Sequence, residues 1–168
     1  TGTNILFGGS GTNVLTLSGQ YQNYTITLNA DGSDGDIGYV FNQPIIAKTK
    51  SGRWMAIAGN GYNSTEADGN VSTTGHAVLF VLDAQDGSIL AKIDTNVGTV
   101  ANPNGLSGAI AVDTNSDGIA DVVYAGDLNG NLWKFNLSSS NPGSWRVAFG
   151  GEPLFTTPGQ PITVRPRS

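Results

Sequence analysis

Oxygen-bearing side chains recur at alternate positions within residues 113–121. Asp113, Asn115 and Asp117 follow this spacing, and Asp121 supplies a fourth side-chain oxygen. The main-chain carbonyl of Ile119, at the seventh position, is a further candidate ligand, as in an EF-hand loop. These hard oxygen donors, with water, suit Ca²⁺ better than Mg²⁺, which requires strict octahedral geometry and retains its waters. The spacing therefore predicts one calcium site, with the ligands Asp113, Asn115, Asp117, Ile119 and Asp121.

The loop departs from an EF-hand at its end and at its flanks. Gly118 permits the expected chain reversal, but the twelfth position is Tyr124, where an EF-hand has a bidentate Glu. The flanking residues 108–112 and 122–125 are short apolar runs typical of strands. The pattern thus indicates a strand-loop-strand site. Two simpler interpretations stay open: an ordinary polar turn, or an ion that only joins two strands without regulating anything.

A second acidic group lies at Asp31, Asp34 and Asp36. Its spacing is irregular, so the default interpretation is a polar connecting turn. A second ion at these three carboxylates is left open.

Composition excludes several functional classes. The 168 residues carry a formal charge of -5 and include 24 glycines, and only 12% are charged. This composition favours short strands and tight turns over helices. The sequence has no cluster of basic residues for binding nucleic acid. Cysteine is absent, so disulfides and thiolate metal sites are excluded.

No apolar run is long enough to span a bilayer. The sequence starts and stops abruptly, which favours a piece of a longer exported protein whose targeting signal lies elsewhere.

Two similar units follow each other along the chain. Residues 53–59 and 121–126 are apolar runs that end in Ala-Gly, and each is followed by a second apolar run, at 77–83 or 131–136. A turn and a further strand then follow (88–93 and 144–149), and an apolar run precedes each unit (44–47 and 108–112). Both ends resemble parts of the same unit: residues 4–9 resemble 121–126, and 160–162 resemble 43–45. A repeated unit of four strands is typical of the blades of a β-propeller.

We therefore predict an all-β fold, a β-propeller fragment of about three blade-equivalents, each a four-stranded antiparallel meander. The predicted division is a partial blade (1–43), a blade with a surface insertion at 59–76 (44–107), a calcium-binding blade (108–153) and the start of another (154–168). Three blades do not close a ring, which usually has about four to eight. The others belong to the parent protein, or copies of the chain associate to complete the ring; the sequence leaves both open.

An enzyme is the first rival interpretation. His76 is the one histidine, and no nucleophile elbow, phosphate-binding glycine loop or zinc-ligand cluster accompanies it. We therefore expect a non-catalytic protein.

A calcium-stabilised adhesin or carbohydrate-binding module is the second rival interpretation. Trp54 and Trp133 lie in strand runs, which favours packing between blades, and Tyr62 is the better candidate for an exposed aromatic.

The residues around the loop also resemble a known family. The loop and the sequence VVYAGDLNGNLWKFNL at 122–137 resemble the PilY1/PilC family of type IV pilus proteins. Residues 38–46, 59–63 and 78–83 resemble the same family. In that family such a loop binds calcium within a modified β-propeller, which implies the same five ligands here.

The resemblance implies a function in type IV pili. The expected roles are pilus assembly, regulation of extension against retraction, twitching motility and adhesion. The expected partners are pilin or minor pilins and host or abiotic surfaces. The expected location is the pilus tip, cell surface or outer membrane of a Gram-negative bacterium.

Overall fold

The computed structural model describes residues 13–18, 23–28, 35–66 and 71–167, and β-strands dominate this part of the chain. Strands β1 (Asn13–Ser18) and β2 (Asn23–Leu28) pair with each other in antiparallel register. The other strands within the described residues belong to two larger antiparallel sheets. The predicted all-β class is confirmed. The strand predicted at residues 4–9 lies outside the described residues.

The first large sheet is a four-stranded antiparallel meander. Its strands lie side by side in chain order: β3 (Ile45–Lys48), β4 (Trp54–Gly59), β5 (His76–Asp83) and β6 (Ile89–Gly98). Strand β6 runs past the predicted end at Ile93, because a register shift between His76 and Val78 lets β5 keep pairing with β6 as far as Gly98. β-Bulges of this kind admit an extra residue without ending the ladder.

The second large sheet repeats this order. Its strands are β7 (Leu106–Val112), β8 (Val122–Asp127), β9 (Asn131–Asn136) and the short β10 (Arg146–Val147). Strand β11 (Phe155–Thr156) pairs with the other end of β9. The fourth strand is shorter than predicted because 3₁₀ turns, Pro142–Ser144 and Phe149–Gly151, flank it. The outer edge of this sheet is therefore formed in two pieces.

The hydrophobic core lies between the two large sheets. Alternate residues of a strand point to opposite faces, so Met55 and Ile57 of β4 share one face of the first sheet. Strands β3, β4 and β5 contact β7 of the second sheet. Residues from both sheets form a single buried cluster, among them Met55, Ile57, Leu79, Val81, Leu106, Val123, Trp133 and Phe135. The core thus holds two consecutive repeats together.

The Ala-Gly ending shared by the repeats is explained by close backbone contact. A Cβ atom at Gly59 would lie 2.5 Å from the carbonyl oxygen of Ser107 and 2.6 Å from that of Leu106. At Gly126 it would lie 2.2 Å from Cγ2 of Ile162. The second strand of each sheet thus ends where the following chain segment crosses it, and only glycine leaves room for the crossing.

A buried carboxylate ties the second sheet to the segment that precedes it. Oδ2 of Asp127 accepts hydrogen bonds from Asn104 Nδ2 (2.8 Å), Asn131 Nδ2 (2.9 Å) and Trp133 Nε1 (2.7 Å). Oδ1 accepts the Asn131 main-chain N–H at 2.8 Å. We call these four residues the Asp127 cluster. Its side chains are buried, as hydrogen-bonded interior polar groups are.

The long segment between β4 and β5 is partly internal. Asn60, Ser64 and Ser72 are buried, so the predicted surface placement is wrong for these residues. Asn60 Oδ1 accepts the N–H of Val78 at 3.1 Å and that of Leu106 at 2.9 Å, which links the two large sheets. The described part of the chain contains no helix long and apolar enough to cross a membrane.

Candidate metal centre

Residues 113–121 form a loop that connects β7 to β8 and is exposed at positions 114–118. Val112 ends one strand and Val122 begins the next, so the loop lies at the turn between adjacent antiparallel strands. The chain reverses at Ser116 and Gly118, which have φ angles of 64° and 80°. A positive φ is usual for glycine and uncommon for serine. The predicted reversal at Gly118 is thus present, and the flanks are strands as the sequence indicated.

Asp113 organises the first half of the loop. Its Oδ1 accepts main-chain N–H groups of Asn115 (3.1 Å), Ser116 (2.6 Å) and Asp117 (3.3 Å), and its Oδ2 accepts that of Gly118 (2.7 Å). Desolvation raises the pKa of Asp113, but these N–H donors lower it by more, so the net pKa is below its usual range. The geometry therefore favours an ionised carboxylate at the start of the loop.

Asn115 and Asp117 lie together in the middle of the loop. Asn115 Nδ2 donates to Asp117 Oδ2 at 3.1 Å, and the Asp117 N–H donates to Asn115 Oδ1 at 3.1 Å. Asp117 Oδ1 accepts the N–H of Ile119 at 2.9 Å. The structure therefore brings three of the predicted side-chain ligands, Asp113, Asn115 and Asp117, into one hydrogen-bonded turn.

Asp121 lies at the base of the loop and contacts Thr114. Its Oδ2 accepts both the Thr114 main-chain N–H at 2.9 Å and the Thr114 hydroxyl at 2.5 Å. Its main chain joins three strands: the Asp121 N–H donates to the Val112 carbonyl at 3.0 Å, and the Asp121 carbonyl accepts the Leu137 N–H at 2.8 Å. Asp121 is therefore the predicted ligand held most firmly by the sheet. Thr114 was not predicted, because a threonine beside an aspartate is no signature by itself.

The donor set fits a hard divalent cation in its chemistry. It comprises three carboxylates and an amide oxygen on a loop that already reverses at Gly118. In the conformation shown, no three or more Asp, Glu, His or Cys side chains among the described residues are gathered closely enough to hold a metal ion. Among the predicted ligands, Asn115 and Asp117 are exposed, whereas Asp113 and Asp121 are half-buried. The contribution of the Ile119 carbonyl stays a prediction.

The end of the loop is anchored in the interior. Ala120 is buried and belongs to the core between the sheets. Its N–H donates to the carbonyl of Lys48, at the end of β3 in the other sheet, at 3.0 Å. One end of the candidate metal loop is therefore exposed while the other contacts the preceding repeat.

Of the second acidic group, only Asp36 lies within the described residues; Asp31 and Asp34 lie outside them. Asp36 Oδ2 pairs with Lys92 Nζ at 2.7 Å, and Oδ1 accepts the hydroxyls of Ser72 and, at 3.2 Å, Thr74. Burial raises the pKa of Asp36, but the ammonium and the hydroxyls lower it by more, so the net pKa falls below its usual range. A lysine thus already neutralises the one described carboxylate of this group.

The remaining candidate side chains are placed as follows. His76 Nδ1 lies 2.9 Å from Asp94 Oδ2 across the β5–β6 pair. Trp133 is fully buried, as predicted, whereas Trp54 is 57% exposed and does not pack between the two large sheets. Trp145 is also buried, and Tyr62 is half-buried. Of the three tryptophans, only Trp54 has a ring available for a surface contact.

A family model and several curated proteins match the chain. The model of the PilY1 beta-propeller domain matches residues 8–165. The type IV pilus biogenesis factor PilY1 of Pseudomonas aeruginosa strain PAO1 is 39% identical over 137 residues, which are 72% of this chain and 11% of that protein. A PilY1 homolog of Xylella fastidiosa is 41% identical over 130 residues, which are 73% of this chain and 8% of that protein. The chain therefore spans about a tenth of the length of these relatives.

A solved structure agrees with this match. The crystal structure of the C-terminal domain of Pseudomonas aeruginosa PilY1 superposes with a TM-score of 0.72 at 28% identity. The superposition covers 94% of this chain and 40% of that one. The predicted propeller-fragment architecture is thereby confirmed.

Proposed function

The chain belongs to the PilY1 β-propeller family, and we propose that it is a non-catalytic, calcium-binding part of the type IV pilus machinery. Its relatives are type IV pilus biogenesis factors, which supports a pilus-related role. The observation that carries the calcium proposal is the loop at 113–121, in which Asp113, Asn115 and Asp117 occupy one turn and Asp121 closes its base.

The proposed ligands are the side-chain oxygens of Asp113, Asn115, Asp117 and Asp121 and the main-chain carbonyl of Ile119. A bound Ca²⁺ supplies positive charge that offsets the repulsion among three carboxylates. Asp113 is already ordered by four main-chain N–H donors, so its position requires no ion. The amide of Asn115 and the carboxylate of Asp117 must exchange their mutual hydrogen bond for the ion.

The effect of the ion on the fold follows from the attachments of Asp121. Its main chain is bonded to Val112 and Leu137, and the neighbouring Ala120 is bonded to Lys48. Ligation at Asp121 therefore restrains the β7–β8 turn relative to both sheets. We infer that calcium occupancy stiffens this repeat and the contact with the preceding one.

For the parent protein, we propose roles in pilus assembly, in the balance of extension and retraction, in twitching motility and in surface adhesion. The proposed partners are pilin or minor pilins, and the proposed location is the pilus tip or cell surface. The non-catalytic part of the proposal is supported by the curated relatives, which are type IV pilus biogenesis factors.

The test is thermal unfolding of the purified chain in EDTA, in Ca²⁺ and in Mg²⁺. Calcium at 100 to 1,000 times its dissociation constant is expected to add about 3–4 kcal/mol to the free energy of unfolding. Asp117→Ala removes a central carboxylate and should abolish most of this gain. Asp86→Ala, in an exposed turn outside the loop, is the matched control and should keep the full calcium response. A folded wild-type chain whose unfolding is indifferent to calcium would refute the proposal.

A further inference from the structure

Thr114 is a loop residue that is not a proposed ligand but donates to one through its side chain as well as its main chain. Both its main-chain N–H and its hydroxyl donate to the same oxygen, Oδ2 of Asp121, at 2.9 Å and 2.5 Å. Two donors on one carboxylate oxygen fix the rotation of the carboxylate as well as its position. The 2.5 Å bond is in the range of strong hydroxyl–carboxylate hydrogen bonds.

We propose that Thr114 is a positioning residue for the calcium site, an inference that rests on the proposed calcium function. Thr114 occupies Oδ2 of Asp121 and leaves Oδ1 as the oxygen to bind the ion. It also ties the last ligand of the loop to the residue that follows the first ligand, Asp113, and so closes the base of the loop. Carboxylates that bind metals are commonly oriented by such outer hydrogen bonds.

The structural setting separates this role from a role in folding. Thr114 is exposed, so its side chain contributes little to the core. The main-chain N–H of residue 114 is kept in any variant except proline. A substitution of Thr114 therefore removes only the hydrogen bond from its hydroxyl to Asp121. A loss of that hydroxyl should therefore weaken calcium binding and leave the stability of the ion-free chain unchanged.

The experiment is a calorimetric titration of the full 168-residue chain with Ca²⁺ after chelation and removal of metal. Thr114→Val keeps the shape and branching of the side chain but removes the hydroxyl, and it is expected to raise the dissociation constant about 10-fold. Thr114→Ala should do the same. Thr114→Ser, which restores a hydroxyl, should return the affinity to near the wild-type value. Ser116→Ala, which removes a hydroxyl from the same loop, is the matched control and should bind as the wild type does.

The outcomes separate this inference from the function on which it rests. If the wild type binds calcium and Thr114→Val binds equally well or more tightly, the positioning role is overturned and the calcium site stands. If the folded wild type binds no calcium, both are overturned. Unfolding curves in EDTA complete the test, because an equal midpoint for the wild type and Thr114→Val excludes a general loss of stability as the cause of weaker binding.

Discussion

The main-chain N–H of Ala120 donates a 3.0 Å hydrogen bond to the carbonyl of Lys48, and this bond joins the metal loop to the other sheet. Lys48 is the last residue of β3, and Ala120 is the penultimate residue of the loop. An ion bound by Asp121 would therefore act one residue away from a contact between repeats. The loop is thus both a surface feature and a part of the boundary between two repeats.

The first prediction concerns hydrogen exchange at this bond. Calcium should slow exchange of the Ala120 amide, because restraint of Asp121 makes local opening of the adjacent bond rarer. The measurement is amide exchange by NMR in EDTA and in saturating Ca²⁺. The amide of Ala148, which is bonded to Lys134 at the far edge of the second sheet, is the internal control. Equal slowing at both amides would indicate global stabilisation and contradict a local link.

The second prediction concerns the Asp127 cluster. Asp127→Ala leaves the buried donors of Asn104, Asn131 and Trp133 without their acceptor, so it should cost more than about 3 kcal/mol of unfolding free energy. Trp133→Phe removes one donor and replaces a fully buried indole by a smaller ring, so the lost hydrogen bond and the cavity together should cost about 2 kcal/mol or more. Denaturant unfolding measures both.

The matched control for this cluster is Asp86→Ala, which removes an exposed carboxylate from the turn that precedes β6. Little change in stability is expected there. An Asp127→Ala chain as stable as the Asp86→Ala chain would show that the cluster does not hold the repeat together.

Strand positions were largely predictable from local sequence, because short apolar runs bounded by glycine, asparagine and aspartate have few other stable conformations. The prediction ended β6 too early because residues 94–96 are polar, and the pairing of residues 94–98 depends on a register shift opposite β5. The fold class and the turn around Gly118 followed from periodicity and spacing.

The interactions between repeats were not predictable. Asn60 Oδ1 accepts the N–H of Leu106, 46 positions away, and nothing in the local sequence of either residue indicates this contact. Thr114 was missed for a related reason, since its role depends on where Asp121 lies after the chain has turned. Trp54 was assigned to packing because it lies in a strand run, yet its side chain at the start of β4 is exposed.

The third prediction tests the close chain crossings. Gly59→Ala places a Cβ against main-chain oxygens of Leu106 and Ser107 that cannot rotate away, so it should destabilise the chain by about 1–3 kcal/mol. Gly126→Ala meets mainly the side chain of Ile162 and should cost less, because a side chain adjusts more easily than a backbone. The measurement is the midpoint and slope of urea unfolding.

Gly143→Ala is the control for these glycine variants. A Cβ there meets only atoms of the Asn141 side chain, the nearest at 3.3 Å, and its stability should be close to that of the wild type. If Gly59→Ala were as stable as Gly143→Ala, the crossing would be looser than the structure indicates.

The last prediction concerns pH and the pair formed by Asp36 and Lys92. The pKa of Asp36 is lower in the folded chain than in the unfolded one, so the unfolded chain binds this proton more readily and stability rises with pH. The contribution of Asp36 should be complete above its ordinary pKa of about 3.9 and should disappear as the pH falls through the lowered folded value. Asp36→Asn should therefore be less stable than the wild type by about 2 kcal/mol at pH 7. The two chains should converge as the pH approaches 2.

Unfolding from pH 7 down to pH 2 measures this difference, and Lys92→Met identifies its source. Because Lys92 supplies part of the lowering, Asp36→Asn should cost less in the Lys92→Met background than in the wild type. The hydroxyls of Ser72 and Thr74 stay in place and continue to lower the pKa of Asp36. A stability difference that stayed constant across this pH range would show that ionisation of Asp36 does not contribute to folding.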